Sequence, residues 1–164
     1  MNNAELYKSK NGLQQNDSVY VIENFLNRLK WKSAKNNILD IGSGDGYTLC
    51  KILLPKISEK VDKIFGIDIS SDMINFSRKE YGNENIIFEQ LDIATLDIPV
   101  EFYEKFNQIF SFFCLHWVPK QSLAFKNIYE MLKPDGYILL TFWQKIPYTK
   151  STTKWLKQIN GDHT

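Results

Sequence analysis

With 164 residues, 43% of them hydrophobic and 24% charged, the chain has the length and balance of one globular domain with a sizeable core, which excludes a disordered acidic or basic tail. The formal net charge is +1, and Arg28 and Arg78 are the only arginines; bidentate base readout favours arginine, so no nucleic-acid partner is expected. No apolar run approaches the roughly 20 residues of a membrane span, and the polar start MNNAELYKSKNGLQQ has no signal-peptide pattern. A cytoplasmic protein without a membrane partner is therefore expected, with Cys50 and Cys114 as buried free thiols.

Val19, Ile22, Leu26 and Leu29 have helical spacing and predict a helix over 17–30, capped by Asp17 or Ser18. The apolar run 37–41 predicts a short buried strand that leads into glycines. A helix is expected over 45–53, ended by Pro55. A second strand over 63–69 leads to a helix from Ser70 or Ser71 to Tyr81, stopped at Gly82-Asn83. The third strand is predicted at 85–91, and residues 92–105 read as mixed, with Pro99 in a loop. The fourth strand spans 106–113 and a helix spans 120–132. Lys133-Pro134-Asp135-Gly136 is a turn signal before a fifth strand over 137–143. A last short helix is expected at 152–159.

Strands alternating with helices predict an α/β, Rossmann-like, doubly wound and mostly parallel sheet of about five strands. The whole of 1–164 reads as one domain, with an N-terminal segment at 1–35, a core at 36–143 and a polar tail at 144–164. In such sheets ligands bind outside the carboxyl ends of the strands, where the strand order reverses. The ends at 41–46, 68–70, 91–93 and 113–117 should then converge on one cleft.

The strongest local signal is Leu39-Asp40-Ile41-Gly42-Ser43-Gly44-Asp45-Gly46, set between a strand and a helix. Its glycines allow a sharp turn and close backbone approach to a ligand. The G-x-G-x-G spacing departs from the dinucleotide fingerprint G-x-G-x-x-G. Asp45, at the start of the following helix, would repel a pyrophosphate, so a cationic ligand with a neutral nucleoside fits better. Asp68, closing the second strand, is suited to accept from ribose hydroxyls. Asp92, after the third, is placed to accept from an adenine amino group. The neighbouring Ile69 and Ile93 are counted in the same site. At the fourth strand end stands His116-Trp117. An indole N–H is a donor with no acceptor, able to hold an anionic or carbonyl oxygen; the same pair equally suits a core tryptophan and an internally satisfied histidine. No metal-type spacing joins the cysteines to His116 or His163.

The glycine loop, Asp68, Asp92 and the Pro134–Gly136 turn resemble the class I S-adenosylmethionine-dependent methyltransferases. Ser111-Phe112-Phe113-Cys114-Leu115-His116-Trp117-Val118, with Tyr7, Asn11 and Gln14, is similar to the arthropod juvenile hormone acid methyltransferases, and in outline to plant carboxyl methyltransferases of the SABATH type. The resemblance implies S-adenosylmethionine as cofactor, with Gly42, Gly44 and Gly46 around its methionine part, Ser43 and Asp45 as extra contacts, Asp68 on the ribose and Asp92 near the adenine; Asp40 is counted in the same cofactor site. It further implies that Gln14 and Trp117 hold the carboxylate of a small-molecule acid, with His116 lining that pocket. Methyl transfer to a lipophilic carboxylic acid of juvenile hormone acid or farnesoic acid type is then the expected reaction.

Class I methyltransferases continue past the fifth strand with an antiparallel hairpin, whereas 144–164 shows no further strand pattern. A sheet lacking that hairpin is expected, with an exposed edge open to self-association. A cofactor-binding remnant without turnover is the first rival reading. Methylation of another small molecule with His116 as base is the second. An NAD-dependent oxidoreductase is disfavoured by the glycine spacing, and a ligand-free interaction module is the bland alternative.

Overall fold

A computed structural model describes residues 12–31 and 35–142. Helix α1 runs over Gly12–Phe25 and tightens into a 3₁₀ turn at Leu26–Arg28. Strands β1 (Asn36–Ile41), β2 (Val61–Asp68), β3 (Ile86–Gln90), β4 (Phe106–Phe112) and β5 (Leu132–Thr141) form one sheet. Its order is β3-β2-β1-β4-β5, and every paired neighbour is parallel. The expected α/β architecture is present, and the strand order reverses between β1 and β4.

After β1 a π-helical stretch, Thr48–Leu53, runs into α2 (Leu54–Ile57). α3 (Ser71–Tyr81) follows β2, and α4 (Gln121–Met131) precedes β5. α3 carries the expected signals: the Ser70 hydroxyl accepts from Met73 N–H, and Gly82 ends the helix by donating to Arg78 O.

Three expectations need correction. α1 begins at Gly12, so Asp17 and Ser18 are not its caps but lie inside it. Gln15 and Ser18 line a polar cleft rather than the apolar core, which hides the helical period there. Pro55 does not end the second helix. It sits at the start of the regular α-helical turn after the π stretch, where a missing N–H costs little. The turn at Lys133–Gly136 is a bulge inside β5: Phe106 and Gln108 pair with Leu132 and Tyr137, so two steps of β4 match five of β5. Asp135 takes the left-handed conformation there (φ 60°), as aspartate tolerates. The last residue of the predicted fifth strand, Trp143, and the helix at 152–159 lie outside the described residues.

Alternation along the strands divides the core between two faces. On one, Leu39, Phe65 and Ile109 pack with Phe102 and with Ala124, Ile128 and Met131 of α4. On the other, Ile38, Ile64 and Phe110 pack with Val21 and Ile22 of α1, and with Leu49, Leu53, Ile57 and Ile74. The loop between β3 and β4 is pinned to α4 by Asn127, which is buried and donates to Ile93 O and Thr95 O at 2.8 Å each. Losing such a buried pairing costs about 1–3 kcal/mol. This clamp holds the Asp92–Ala94 turn over the carboxyl ends of the strands. Among the described residues no helix is long and apolar enough to cross a membrane.

Candidate cofactor and substrate site

The glycine loop leaves β1 at Ile41 and is tied to β2 at once. Gly42 and Ser43 N–H both donate to Ile67 O, at 2.8 and 3.0 Å. Asp68 then clasps the loop from the end of β2: Oδ2 accepts from Gly44 N–H at 3.0 Å and Oδ1 from Ser70 N–H at 2.9 Å. Gly42 (φ 72°) and Gly44 (φ 54°) adopt the left-handed conformation that this crossing needs. A Cβ on Gly42 would lie 2.3 Å from Cys114 Sγ, so the loop passes closely against the segment that follows β4 at this glycine.

Two clefts flank the loop and share Gly42. The larger, of about 260 Å³, is walled by Ile41, Ile67, Ile69, Leu91, Ile93, Ala94, Cys114, Val118 and Pro119, with Asp68, Asp92, Trp117 and Lys120 as its polar members. The smaller, of about 30 Å³, is lined by Gln15, Ser18, Asp40, Ser43, Gly44, Asp45, Thr48, Phe112 and Phe113. Phe113 holds a left-handed φ of 54°, fixed by its N–H donating to Thr141 O at 2.9 Å.

The smaller cleft is strongly acidic in composition but not fully ionised. Asp40 is 2% exposed, and its Oδ1 has no hydrogen-bond partner among the described residues. Burial, and then the negative charge of Asp68, push its carboxyl up to about 8, which favours the protonated form at neutral pH. Ser43 Oγ is likewise buried, with no partner among the described residues. Orphaned polar atoms of this kind ask for a ligand. A cationic group answers Asp40 and Asp45, while an apolar slot ending at Asp68 and Asp92 answers a nucleoside. A diphosphate does not fit: Gly44 N–H is already taken by Asp68, and Asp45 accepts from Tyr47 N–H where the next helix starts.

A family model described as a methyltransferase domain matches residues 13–163. The chain belongs to this methyltransferase family. Its cofactor is S-adenosylmethionine. Among curated relatives, the juvenile hormone acid O-methyltransferase of Bombyx mori is 32% identical, over 98% of this chain and 60% of that protein. The protein of the same name in Drosophila melanogaster is 36% identical, over 83% of this chain and 46% of that protein. The chain thus spans about half the length of these relatives. In fold it is similar to phosphoethanolamine N-methyltransferase 2 of Haemonchus contortus in complex with S-adenosyl-L-methionine. The TM-score there is 0.63 at 21% identity, over 83% of this chain and 30% of that one.

All the residues assigned to the cofactor from sequence line one cleft or the other, except Gly46, which is buried behind the loop against Tyr81, Phe88 and Ser77. Of the substrate residues, Trp117 ends a 3₁₀ turn at Leu115–Trp117, is 73% exposed, and lines the larger cleft. His116 lines neither cleft. Its ring lies 5.1 Å from that of Trp117, its Nδ1 has no partner among the described residues, and burial lowers its pKa, favouring the neutral ring. Gln14 is on α1, one residue before Gln15; its side chain is outside the described residues. Sequence reasoning missed Gln15, Ser18 and Thr48 in the smaller cleft and Lys120 in the larger. Nothing in a single polar residue before or within a helix marks it as lining a site.

Proposed function

We propose that the domain works in a carboxyl O-methyltransferase that esterifies a lipophilic small-molecule acid, of juvenile hormone acid or farnesoic acid type. The observation that carries this is the apolar cleft of about 260 Å³ with an exposed indole donor, Trp117, at its wall and the acidic cleft adjoining it through Gly42. The activity for which the two insect relatives are named supports the same acceptor.

When bound, S-adenosylmethionine supplies an activated methyl group and a neutral thioether leaving group. The chain's own task is then placement. A carboxylic acid is ionised at pH 7, since its ordinary pKa is near 4, so no general base is required. Trp117 Nε1–H and the Gln14 amide would hold one carboxylate oxygen and leave the other free to attack. Orientation of this kind is worth roughly 7–11 kcal/mol in favourable cases. The apolar walls Ile69, Ile93 and Val118 exclude water from the approach.

Trp117→Phe is expected to lower kcat/KM for a carboxylic acid about 10- to 100-fold, the loss of one well-placed donor. Cofactor affinity in a calorimetric titration should stay nearly unchanged. Unaltered turnover would remove Trp117 from the substrate site. His116, whose burial favours the neutral ring and whose Nδ1 has no partner among the described residues, favours a second reading, base-assisted methylation of an amine or phenol. Loss of turnover in His116→Ala but not in Trp117→Phe would select it. Cofactor binding with no turnover of any carboxylic acid would select the non-catalytic reading. The proposal also includes pairing of two copies through β5, whose only strand partner among the described residues is β4. Sedimentation should then show a concentration-dependent dimer; a monomer at every concentration would remove this part.

A further inference from the structure

The outer end of the larger cleft rests on one short turn, which carries Asp92, Ile93 and Ala94. Leu91 N–H donates to Asp68 O at 3.0 Å and ties the near end of this turn to β2. Thr95 N–H donates to Asp92 O at 3.0 Å, and Ala94 N–H donates to Asp92 Oδ1 at 2.8 Å, so the turn closes around its own carboxylate. Asp92 is exposed. With Oδ1 engaged by the turn, Oδ2 is the oxygen left for a donor on a ligand.

The far end of the turn is held by Asn127. This side chain is 1% exposed and shares the buried face of α4 with Ala124, Ile128 and Met131. Asparagine is a poor helix former, and an amide among apolar neighbours is costly unless its N–H groups are bonded. Here Nδ2 makes two bonds at once, to Ile93 O and to Thr95 O, on either side of Ala94. Among the described residues it is the one side chain of α4 bonded to this turn. Ala94 supplies the N–H that holds Asp92 Oδ1, so the amide grips the peptide units that aim the carboxylate. β2 on one side and Asn127 on the other thereby fix the spacing of Asp68 and Asp92 across the cleft.

We propose that Asn127 is a positioning residue for recognition of the adenine base. It does not touch the cofactor; it holds the turn so that Asp92 Oδ2 meets the 6-amino group. The inference rests on the placement of the nucleoside in the larger cleft. A fixed carboxylate accepts from a 6-amino group and is left facing an acceptor by a 6-oxo group, which is a strong basis for discrimination. Once the turn loosens, the carboxylate turns to water and the discrimination fades. An asparagine that served stability alone would weaken both kinds of base alike.

The test uses the whole 164-residue chain and two probes that differ at one position of the base, S-adenosylhomocysteine (6-amino) and S-inosylhomocysteine (6-oxo). Calorimetry measures both Kd values in the wild type, Asn127→Leu, Asp92→Ala and the double variant, with thermal melting to verify that each is folded. The wild type should prefer the adenosyl probe by about tenfold or more. Asn127→Leu keeps the volume and removes both N–H groups, and its preference should fall to within about threefold. Asp92→Ala should show the same small preference, and adding Asn127→Leu to it should change nothing further, because the two residues act as a unit. If the leucine variant does not fold, Asn127→Ser, which keeps one donor, takes its place in the same cycle and should show an intermediate preference. Retention of the wild-type preference by the Asn127 variant, with both probes weakened alike, overturns the proposal and leaves the base in the larger cleft. A wild type without preference, or an Asp92→Ala chain that keeps it, removes Asp92 from the base and overturns both.

Discussion

Replacing Gly42 with alanine should cost at least ~100-fold in affinity for S-adenosylmethionine, measured by calorimetric titration, while the far-UV spectrum of the sheet is kept. Two costs meet at this residue. A left-handed φ of 72° is unfavourable for any residue with a Cβ, by roughly 1–2 kcal/mol. The new methyl carbon would also stand 2.3 Å from Cys114 Sγ and 2.4 Å from Cys114 Cβ. Overpacking of this kind costs about 1–3 kcal/mol even where neighbours yield. To relieve the clash the loop must move away from Cys114, and among the described residues Gly42 is the one shared by both clefts, so the move changes both. Trimming Cys114 to alanine leaves the Cβ contact in place and should not rescue binding, whereas Cys114→Gly in the same chain should recover part of it. Normal cofactor affinity in Gly42→Ala would remove the glycine loop from the site.

This loop was readable in the sequence because its chemistry is local. Three glycines between an apolar run and a helix leave few alternatives, and Asp68 and Asp92 follow at successive strand ends, where the topology of a parallel sheet brings them together. What was hidden arises from contacts between distant segments. Cys114 meets Gly42 across a gap of 72 positions, which no local pattern shows. The start of α1 was missed because Gln15 and Ser18 face a polar cleft, and helical periodicity is visible only where a face is buried in apolar core. Pro55 misled for a related reason: a preceding π-helical stretch changes where a regular turn begins, and propensity rules assume unbroken α geometry.

Asp40→Asn should stabilise the cofactor-free chain and weaken its hold on the cofactor, and the pH at which each effect emerges follows from one shifted carboxyl. Its pKa stands at about 8 against an ordinary 3.8, through burial first and the Asp68 charge second. Between those values the folded chain keeps a proton that the unfolded chain has released. Stability from this group is therefore complete below pH 4, falls as the pH rises towards 8, and is level above it. Asparagine carries no such titration, so the variant should gain on the wild type across that window, by about 1–3 kcal/mol near pH 8. Binding runs in the opposite sense. A sulfonium and an ammonium group beside Asp40 favour its ionised form, so below pH 8 the wild type should release a proton on taking up the cofactor. Titrations in buffers of different ionisation enthalpy read that proton directly. Cofactor affinity of the wild type should climb as the pH approaches 8, and that of Asp40→Asn should be weaker and nearly flat. Equal proton release by the two chains would mean that Asp40 does not face the cofactor's charge. A loss of affinity at higher pH in the wild type alone would reverse the sign of the linkage and exclude a cation in the smaller cleft.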